Sequence, residues 1–297
     1  MLQTTLFEEP PRSRQLPILG TQKDITYLGA TPRSVLNGPA ATGMGWWSIN
    51  PYVGCAFGCA YCYARYAHRY AAERLAASGP AIATAVHEAA PGVEELPAWL
   101  AFERRILVKR DAGAILRRAL RSPTRLAGLR RDGVVIGTAT DPYQPAERRF
   151  RLTRDVLEAL AEHAGVDVSI ITKSPLVTRD VDLLARINER AHVTVHVSLI
   201  TVDRELARRI EPRAPTPEAR LRAIARLRAH DIEVGVNAMP VLPGITDAPD
   251  MIDALVHAVA DAGASYLSAC ALRLRSTARD RYLPFIDAEF PQLAASY

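Results

Sequence analysis

The feature that most constrains the fold is a regular alternation of strand-like and helix-like segments. The strand-like stretches are WWSIN, RILVK, VVIGTAT, VDVSIITK, HVTVHVSLI, IEVGVNAMPVLPG and SYLSACALRL. Most of them precede helix-favouring stretches of about 10 to 15 residues, an alternation typical of βαβ units with a parallel sheet. Six or more such units in one run predict an α/β fold built as a barrel or part of one.

The chain divides into three parts around this series. Residues 1–45 carry Pro and Gly without a sustained period, which predicts an extended N-terminal arm and regular structure from near Trp46. The α/β region would span residues 46–275, with a helix in YARYAHRYAAERLAA and an irregular insertion at about 78–102. Residues 276–297 would form a C-terminal tail. Helix starts are expected at Thr153 and Thr216, both suitable N-cap residues.

Several strands carry polar residues at every second position, although buried parallel strands are usually continuous apolar runs. The polar positions are Ser169 and Lys173 in one strand and His192, Thr194, His196 and Ser198 in the next. They lie towards the carboxyl ends of their strands, where this class of fold places ligand sites. We therefore expect a lumen that holds a polar ligand.

Composition excludes several classes of protein. Hydrophobic residues at 48% and charged residues at 23% are ordinary for a globular enzyme. No apolar run approaches the roughly 20 residues of a membrane-spanning helix, and the opening MLQTTLFEEPPRSRQ lacks the apolar stretch of a secretory signal. We therefore expect a cytoplasmic protein with no membrane partner.

Three of the four cysteines, Cys55, Cys59 and Cys62, lie within eight residues. Thiolates bind zinc and iron-sulfur clusters. A zinc site would need a fourth ligand at short spacing, and only His68 follows, without a second Cys or His pair. A four-iron cluster held by three cysteines instead leaves one iron open to a small molecule.

The spacing Cys55-x3-Cys59-x2-Cys62, with an aromatic residue before the last cysteine and βα units after it, resembles the radical S-adenosylmethionine enzymes. Further segments resemble, in order, the branch related to spore photoproduct lyase, also described as DNA repair photolyase-like. These segments are NPYVGCAFGCAYCYAR, TATDPYQPAE, SIITKSPLVTRDVDLL, EPRAPTPEARL and PVLPGITD. The resemblance covers roughly residues 46–275.

The resemblance implies a partial (β/α)6 barrel with one [4Fe-4S] cluster in the loop after its first strand. It also implies reductive cleavage of S-adenosylmethionine to methionine and a 5′-deoxyadenosyl radical, which removes a hydrogen atom from the substrate. An electron donor such as flavodoxin or ferredoxin would be a partner. Cys55, Cys59 and Cys62 would bind the cluster, and Tyr61 and Tyr63 would lie near S-adenosylmethionine.

The same resemblance implies that four further residues contact the cofactor. Thr140 and Asp141 would contact the methionine portion of S-adenosylmethionine, at the end of the VVIGTAT strand. Lys173 and Ser198 match the lysine and serine that the lyase places on the cofactor's carboxylate and ribose. This agrees with the polar strand faces.

The chain departs from the family pattern at one point. Spore photoproduct lyase has a cysteine that returns a hydrogen atom to the product radical, but the matching stretch here, GTATDPYQ, has none. This departure puts photolesion repair in doubt. The remaining thiol, Cys270, is a candidate hydrogen donor or a small buried hydrophobic residue. One spare cysteine is too few for a second cluster.

The substrate is indicated only by charge. Residues 103–132 contain ten Lys or Arg residues and three acidic residues, whereas the whole chain carries +5. Such a segment favours a nucleic acid lesion or nucleotide as substrate. Arginine-rich composition explains it equally well, since 34 of the 37 basic residues are arginines. The alternatives are radical modification of a small molecule or peptide, and a non-catalytic zinc- or cluster-binding regulator that binds nucleic acid.

Overall fold

Two open sheets organise the chain in the computed structural model, which describes residues 16–66, 96–274 and 277–297. The four-stranded sheet has the order β1-β2-β6-β5, and the seven-stranded sheet has the order β11-β10-β9-β8-β7-β4-β3. The strands are β1 Ile18–Gln22, β2 Ile25–Ala30, β3 Leu36–Asn37, β4 Trp47–Ile49, β5 Tyr52–Val53, β6 Arg105–Lys109, β7 Val134–Ile136, β8 Val168–Thr172, β9 Val193–Ser198, β10 Glu233–Val241 and β11 Tyr266–Ala271.

Helices connect most of these strands. The α-helices are α1 Pro39–Thr42, α2 Ala98–Arg104, α3 Ala112–Leu120, α4 Pro123–Asp132, α5 Pro145–Phe150, α6 Leu152–Ala161, α7 Val181–Asn188, α8 Arg204–Ile210, α9 Pro217–Arg228, α10 Pro249–Asp261 and α11 Thr277–Glu289. Two 3-10 helices span Pro175–Asp180 and Pro291–Ser296. No helix in the described ranges is long and apolar enough to cross a bilayer.

The larger sheet is the predicted partial (β/α)6 barrel. Its strands β4, β7, β8, β9, β10 and β11 are parallel to their neighbours, and β3 adds an antiparallel strand at one edge. The sheet does not close, since its edge strands β3 and β11 each pair on one side only. The fold class is therefore confirmed, and the carboxyl ends of the parallel strands lie along one rim.

The expectation that regular structure starts near Trp46 is wrong. Strands β1 to β3 and helix α1 precede it, and β2 pairs in parallel with β6, placing Thr26 opposite Arg105. RILVK accordingly joins the small sheet rather than the barrel. The distant pairing of β2 with β6 leaves no local periodic signal. Strands β1 and β3 were missed because they are too short to show a sustained alternation.

One of the two predicted helix starts is confirmed. The Thr216 side chain accepts a hydrogen bond from the Ala219 N–H at the start of α9. The other is wrong, because α6 already begins at Leu152 and the buried Thr153 hydroxyl donates to the Pro142 carbonyl at 2.5 Å. The helix predicted after Tyr66, and the predicted insertion up to residue 95, lie outside the described residues.

The C-terminal residues are part of the body of the molecule. Helix α11 and the 3-10 helix after it contribute Tyr282, Phe285 and Phe290 to an apolar cluster with Phe57 and Tyr61. This cluster is separate from the main core between the barrel sheet and its helices. The segment predicted as a tail therefore packs against the cysteine-bearing loop.

Candidate cofactor site at the cysteine loop

The cysteine loop, residues 54–63, follows β4, the first barrel strand, after the short strand β5. Backbone hydrogen bonds hold it in place: Cys55 N donates to the Phe102 carbonyl (2.9 Å), Ala60 N donates to the Ile210 carbonyl (3.0 Å), and the Phe57 carbonyl accepts from Arg213 N (3.2 Å). Gly54 has a φ of +87°, and a Cβ there would lie 2.7 Å from the Phe102 oxygen. Only glycine allows this close approach of the loop to α2.

All three cysteines of the loop are free thiols, with Cys55 and Cys59 buried and Cys62 partly buried. Burial raises the pKa of Cys55 to about 12, and the Asp141 carboxylate adds to the effect. Burial also raises the pKa of Cys59 well above its usual value, against the opposing effect of Lys173. The thiols are therefore protonated until a metal centre displaces their protons.

The donor set fits a three-cysteine cluster. Among the residues that the structure describes, no three His, Cys, Asp or Glu side chains are grouped around a single metal ion. A four-iron cluster has a different requirement, because each thiolate binds a different iron. Three thiols on one anchored loop meet that requirement and leave one iron for a further ligand. Their assignment as cluster ligands stays a prediction.

The loop is joined to the end of β7 by Thr140 and Gln144. Thr140 Oγ1 donates to the Gly54 carbonyl at 2.6 Å, and Gln144 Nε2 donates to the same oxygen at 3.0 Å. Gln144 Oε1 in turn accepts from Ala56 N at 3.0 Å. These bonds satisfy the buried polar groups of the loop's first turn.

Asp141 joins the ends of β7 and β8. Its carboxylate accepts hydrogen bonds from Thr172 Oγ1 and Lys173 N, both at 2.7 Å, and from Tyr143 N at 2.9 Å. Burial raises the pKa of Asp141, and these donors oppose the rise. Thr140 and Asp141 thus lie beside the cysteine loop. Their contact with the methionine portion of the cofactor stays a prediction.

Lys173 and Tyr61, a residue of the cysteine loop, both contact the carboxylate of Glu211, which brings Lys173 next to the loop. Lys173 Nζ is 3.7 Å from Glu211 Oε1 and 5.6 Å from the centroid of the Tyr61 ring. The Tyr61 hydroxyl donates to the same Glu211 oxygen, and Arg220 pairs with the other one. Lys173 and Tyr61, assigned separately from the sequence, therefore meet on one buried glutamate.

Electrostatic interactions keep Glu211 and Lys173 ionised. Burial alone would raise the pKa of Glu211, but Arg220 and Lys173 outweigh burial and lower it. Burial likewise disfavours the charge of Lys173, but Glu211 outweighs it and raises the pKa of Lys173. Within this group one carboxylate faces two cations beside the thiols, and a further carboxylate, that of Asp141, accepts from the Lys173 N–H.

Ser198 is connected to the same group through its backbone. It is buried at the carboxyl end of β9, and its carbonyl accepts from Arg220 at 3.0 Å. Sequence reasoning gave no role to Glu211 or Arg220. The signal was available, because both residues lie in EPRAPTPEARL, the segment that already supported the family resemblance.

A second buried ion pair supports the loop from α2. Arg65 donates to the Cys59 carbonyl (2.7 Å) and the Trp99 carbonyl (2.6 Å) and pairs with Glu103 at 2.6 Å. Both side chains of the pair are nearly inaccessible to solvent. Sequence reasoning missed this pair because its members are 38 residues apart and belong to no recognised motif.

The two aromatic residues beside Cys62 differ in their surroundings. Tyr61 is buried, whereas Tyr63 is 55% exposed and donates to the Thr138 carbonyl at 2.5 Å. Tyr63 also stacks on Tyr66, with ring centroids 6.3 Å apart. Tyr63 is thus held at the loop surface, and its predicted proximity to S-adenosylmethionine remains a prediction.

The polar face predicted from the strand pattern continues across neighbouring strands. Thr194 of β9 is in register with Ser169 of β8 and with Glu233 of β10, and its hydroxyl donates to Glu233 at 3.2 Å. His196, on the same face of β9, is 3.1 Å from the Tyr266 hydroxyl of β11.

Cys270, the candidate hydrogen donor, lies on the edge strand β11. Cys270 is exposed, and among the described strands β11 pairs only with β10. The expectation of a small buried hydrophobic residue at this position is therefore wrong. The role of hydrogen donor stays a prediction.

Comparison with known proteins agrees with this geometry. A family model of the Radical SAM superfamily matches residues 49–255. An uncharacterized protein of Mycobacterium tuberculosis (strain ATCC 25618 / H37Rv) is 34% identical over 275 residues, which are 92% of this chain and 73% of the relative. An uncharacterized protein of Methanocaldococcus jannaschii is 25% identical over 204 residues, which are 69% of this chain and 63% of that relative.

Solved structures give the same fold. Spore photoproduct lyase complexed with dinucleoside spore photoproduct superposes with a TM-score of 0.59 at 14% identity, covering 95% of this chain and 72% of the lyase. A spore photoproduct lyase mutant with bound AdoMet and the same dinucleoside has a TM-score of 0.57 at 14% identity and covers 90% and 66%. The family model covers more than half of the chain, so this protein belongs to the radical SAM superfamily and is a radical S-adenosylmethionine enzyme, a family that implies a [4Fe-4S] cluster.

Proposed function

We propose that this enzyme holds one [4Fe-4S] cluster on Cys55, Cys59 and Cys62 and abstracts a hydrogen atom from a nucleic acid lesion or nucleotide. The observation that carries the proposal is the meeting of the cysteine loop with Lys173 on Glu211. It puts Lys173 beside the cysteine loop on a carboxylate that it shares with Arg220, which supports a role for this cation in holding the cofactor's carboxylate.

The cluster and S-adenosylmethionine, when bound, supply a 5′-deoxyadenosyl radical. The protein's own groups bind and orient the cofactor. The Lys173 ammonium, a compact charge, holds the cofactor carboxylate, and Glu211 fixes the position of that ammonium. Ser198, at the next strand end, contacts the ribose. The burial of Cys55, Cys59 and Tyr61 supports a site that would exclude water, which protects a reactive radical.

Two observations support the nucleic acid class of substrate. Residues 103–132 form β6, α3 and α4, and their arginines are largely at the surface. The spore photoproduct lyase structures of similar fold contain a dinucleoside photoproduct. Phosphate contacts from surface arginines would supply affinity for such a substrate.

The experiment that tests the chemistry is anaerobic purification followed by reaction with S-adenosylmethionine and a reductant such as reduced flavodoxin. We expect a brown protein with about four irons that forms 5′-deoxyadenosine. A colourless protein with one zinc ion would overturn the proposal and favour the non-catalytic regulator.

A labelling experiment tests the substrate class separately. Deuterium-labelled nucleic acid and labelled cell metabolites are incubated with the enzyme, and the label in 5′-deoxyadenosine is measured. Transfer from nucleic acid supports the proposal, whereas transfer only from metabolites or peptides assigns the radical chemistry to another substrate.

The hydrogen donor is tested with Cys270→Ala. If Cys270 returns the hydrogen atom, this variant still forms 5′-deoxyadenosine but loses the repaired product. Unchanged product formation would remove Cys270 from the mechanism. The matching segment GTATDPYQ has no thiol that would replace it.

A further inference from the structure

A small pocket outside the cysteine loop is lined by three arginines from three separate elements. Its volume is about 140 Å³, room for several water molecules or one phosphate group. Arg33 comes from the segment between β2 and β3, Arg118 from α3 and Arg125 from α4. The pocket shares no lining residue with the cysteine loop. The remaining lining residues are Ser34, Ile115 and Ala119.

These arginines have no carboxylate partner among the described residues, unlike two other arginines on the same helices. Arg117 pairs with Glu162 at 2.6 Å, and Arg131 pairs with Asp132 at 2.7 Å. No ion pair of the described residues includes any of the three pocket arginines. Within the part of the chain that the structure describes, the pocket therefore combines three positive charges with no carboxylate paired to them.

Local hydrogen bonds shape the walls of the pocket. Arg125 NH1 donates to the Ala119 carbonyl at 3.0 Å, which orients its guanidinium and leaves its other N–H groups available. The Ser34 hydroxyl donates to the Leu36 carbonyl at 3.0 Å and accepts from Leu36 N at 3.1 Å. This turn fixes the segment that carries Arg33. The buried Ile115 lies at the pocket as an apolar wall.

We propose that this pocket binds a phosphate group of the substrate. Guanidinium groups present paired N–H donors that match phosphate oxygens, and three uncompensated cations suit an anion that carries several acceptor oxygens. The source is either a phosphodiester of a nucleic acid or a free nucleotide. The inference deepens the proposed function by naming one contact with its substrate, and it rests on the nucleic acid part of that proposal.

The test measures binding of short fluorescein-labelled single-stranded and duplex DNA to the full-length holoenzyme by anisotropy, over a range of salt concentrations. Arg118→Ala is the primary variant, because no hydrogen bond of Arg118 is lost with it among the described residues. We expect affinity to fall about fivefold. The magnitude of the slope of log affinity against log salt should fall by about 0.9 for duplex DNA and about 0.7 for single-stranded DNA, the values for one lost phosphate contact.

Arg121→Ala is the matched control. It removes the same charge from the same arginine-rich segment, but Arg121 does not line the pocket. Weakening by Arg118→Ala and Arg33→Ala, with little change in Arg121→Ala, supports the pocket. Equal weakening in all three variants would overturn it, because the segment would then act through diffuse charge alone.

Competition distinguishes the two sources of phosphate. If labelled DNA binds and inorganic phosphate competes only at high concentration, the ligand is a nucleic acid. If DNA does not bind but nucleotides do, and Arg118→Ala weakens them, the site takes a free nucleotide. Absence of binding for every phosphate compound to the unmodified enzyme would overturn the inference. Formation of 5′-deoxyadenosine without added nucleic acid tests the radical chemistry independently.

Discussion

Two buried clusters of this molecule are built from the same three residue types, yet they differ in their charge balance. In each, a tyrosine hydroxyl and an arginine bind the two oxygens of one buried glutamate. The clusters are Tyr61, Glu211 and Arg220 at the cysteine loop, and Tyr52, Glu147 and Arg179 beside α5 and α6.

The Glu147 cluster satisfies its groups within the protein. Glu147 also accepts from Thr153 N at 3.0 Å, and Arg179 also pairs with Asp180 at 2.7 Å. Asp180 in turn pairs with Arg154. Burial is the dominant effect on Glu147 and raises its pKa despite these donors. Carboxylates and arginines alternate in this cluster, so each of these charged groups already has a partner in the protein. The cluster therefore connects secondary-structure elements and does not call for a charged ligand.

The Glu211 cluster contains two cations, Lys173 and Arg220, but one carboxylate. Lys173 faces the same carboxylate that Arg220 already pairs with, and its side chain keeps 14% of its surface accessible. An uncompensated buried cation is costly, so a carboxylate that binds Lys173 would restore the balance. This difference indicates that the balance of charges, rather than the presence of a buried ion pair, distinguishes a ligand site from a cluster with a purely structural role.

The largest effect is expected from Cys59→Ala, which removes one predicted cluster ligand while leaving both glutamate clusters in place. The variant should lose colour and iron after anaerobic reconstitution, and should form no 5′-deoxyadenosine. Cys270→Ala is the control, since it also removes a free thiol but leaves the three clustered cysteines in place, and it should keep its iron. A full cluster in Cys59→Ala would show that the ligand set is wrong.

Lys173→Ala tests the excess cation directly. Its removal leaves Glu211 balanced by Arg220, so the fold and the iron content should be preserved. S-adenosylmethionine should bind about thirtyfold more weakly, because a hydrogen bond to a charged group contributes about 2 kcal/mol. Binding is measured by calorimetry on the reconstituted enzyme. Lys23→Gln, at an exposed lysine, is the control, and equal affinity in the two variants would remove Lys173 from the site.

Glu211→Gln and Glu147→Gln form the matched pair for the comparison itself. Glu211→Gln leaves the buried Arg220 without its carboxylate and should lower the free energy of unfolding by up to about 3 kcal/mol. Glu147→Gln should lower it less, because Arg179 keeps its pair with Asp180. Only Glu211→Gln should also weaken S-adenosylmethionine, about tenfold, because Lys173 and Arg220 then repel each other and Lys173 moves away. Denaturant unfolding and calorimetry measure the two effects. The comparison fails if both variants, or neither, change cofactor affinity.

The sequence predicts the barrel and the cysteine loop because both have local signatures. The strand pattern identified β4 and β7 to β11, and the cysteine spacing identified the loop. The small sheet was missed because β2 pairs with β6 across a long sequence separation. The buried partners were missed for the same reason: Glu211 binds Tyr61 from 150 residues away. Charge pairing of this kind depends on tertiary contacts that no periodicity records.

The smallest effect is expected from Gly58→Ala, which probes the second support of the cysteine loop. Gly58 has a φ of +67°, and a Cβ there would lie 2.9 Å from Glu103 Oε2, the carboxylate that pairs with Arg65. Gly43 is the matched control, because it has the same φ of +67° and no atom within 4 Å of such a Cβ.

Both alanine variants pay the left-handed backbone cost of about 1 kcal/mol, which denaturant unfolding measures. Gly58→Ala should lose further stability, because the added methyl group displaces Glu103 from Arg65 and so loosens the Arg65 bond to the Cys59 carbonyl. Its iron should therefore be released faster to a chelator than that of Gly43→Ala. Equal release rates would mean that the Arg65 and Glu103 pair stabilises the fold around the cysteine loop without holding the cysteines in place.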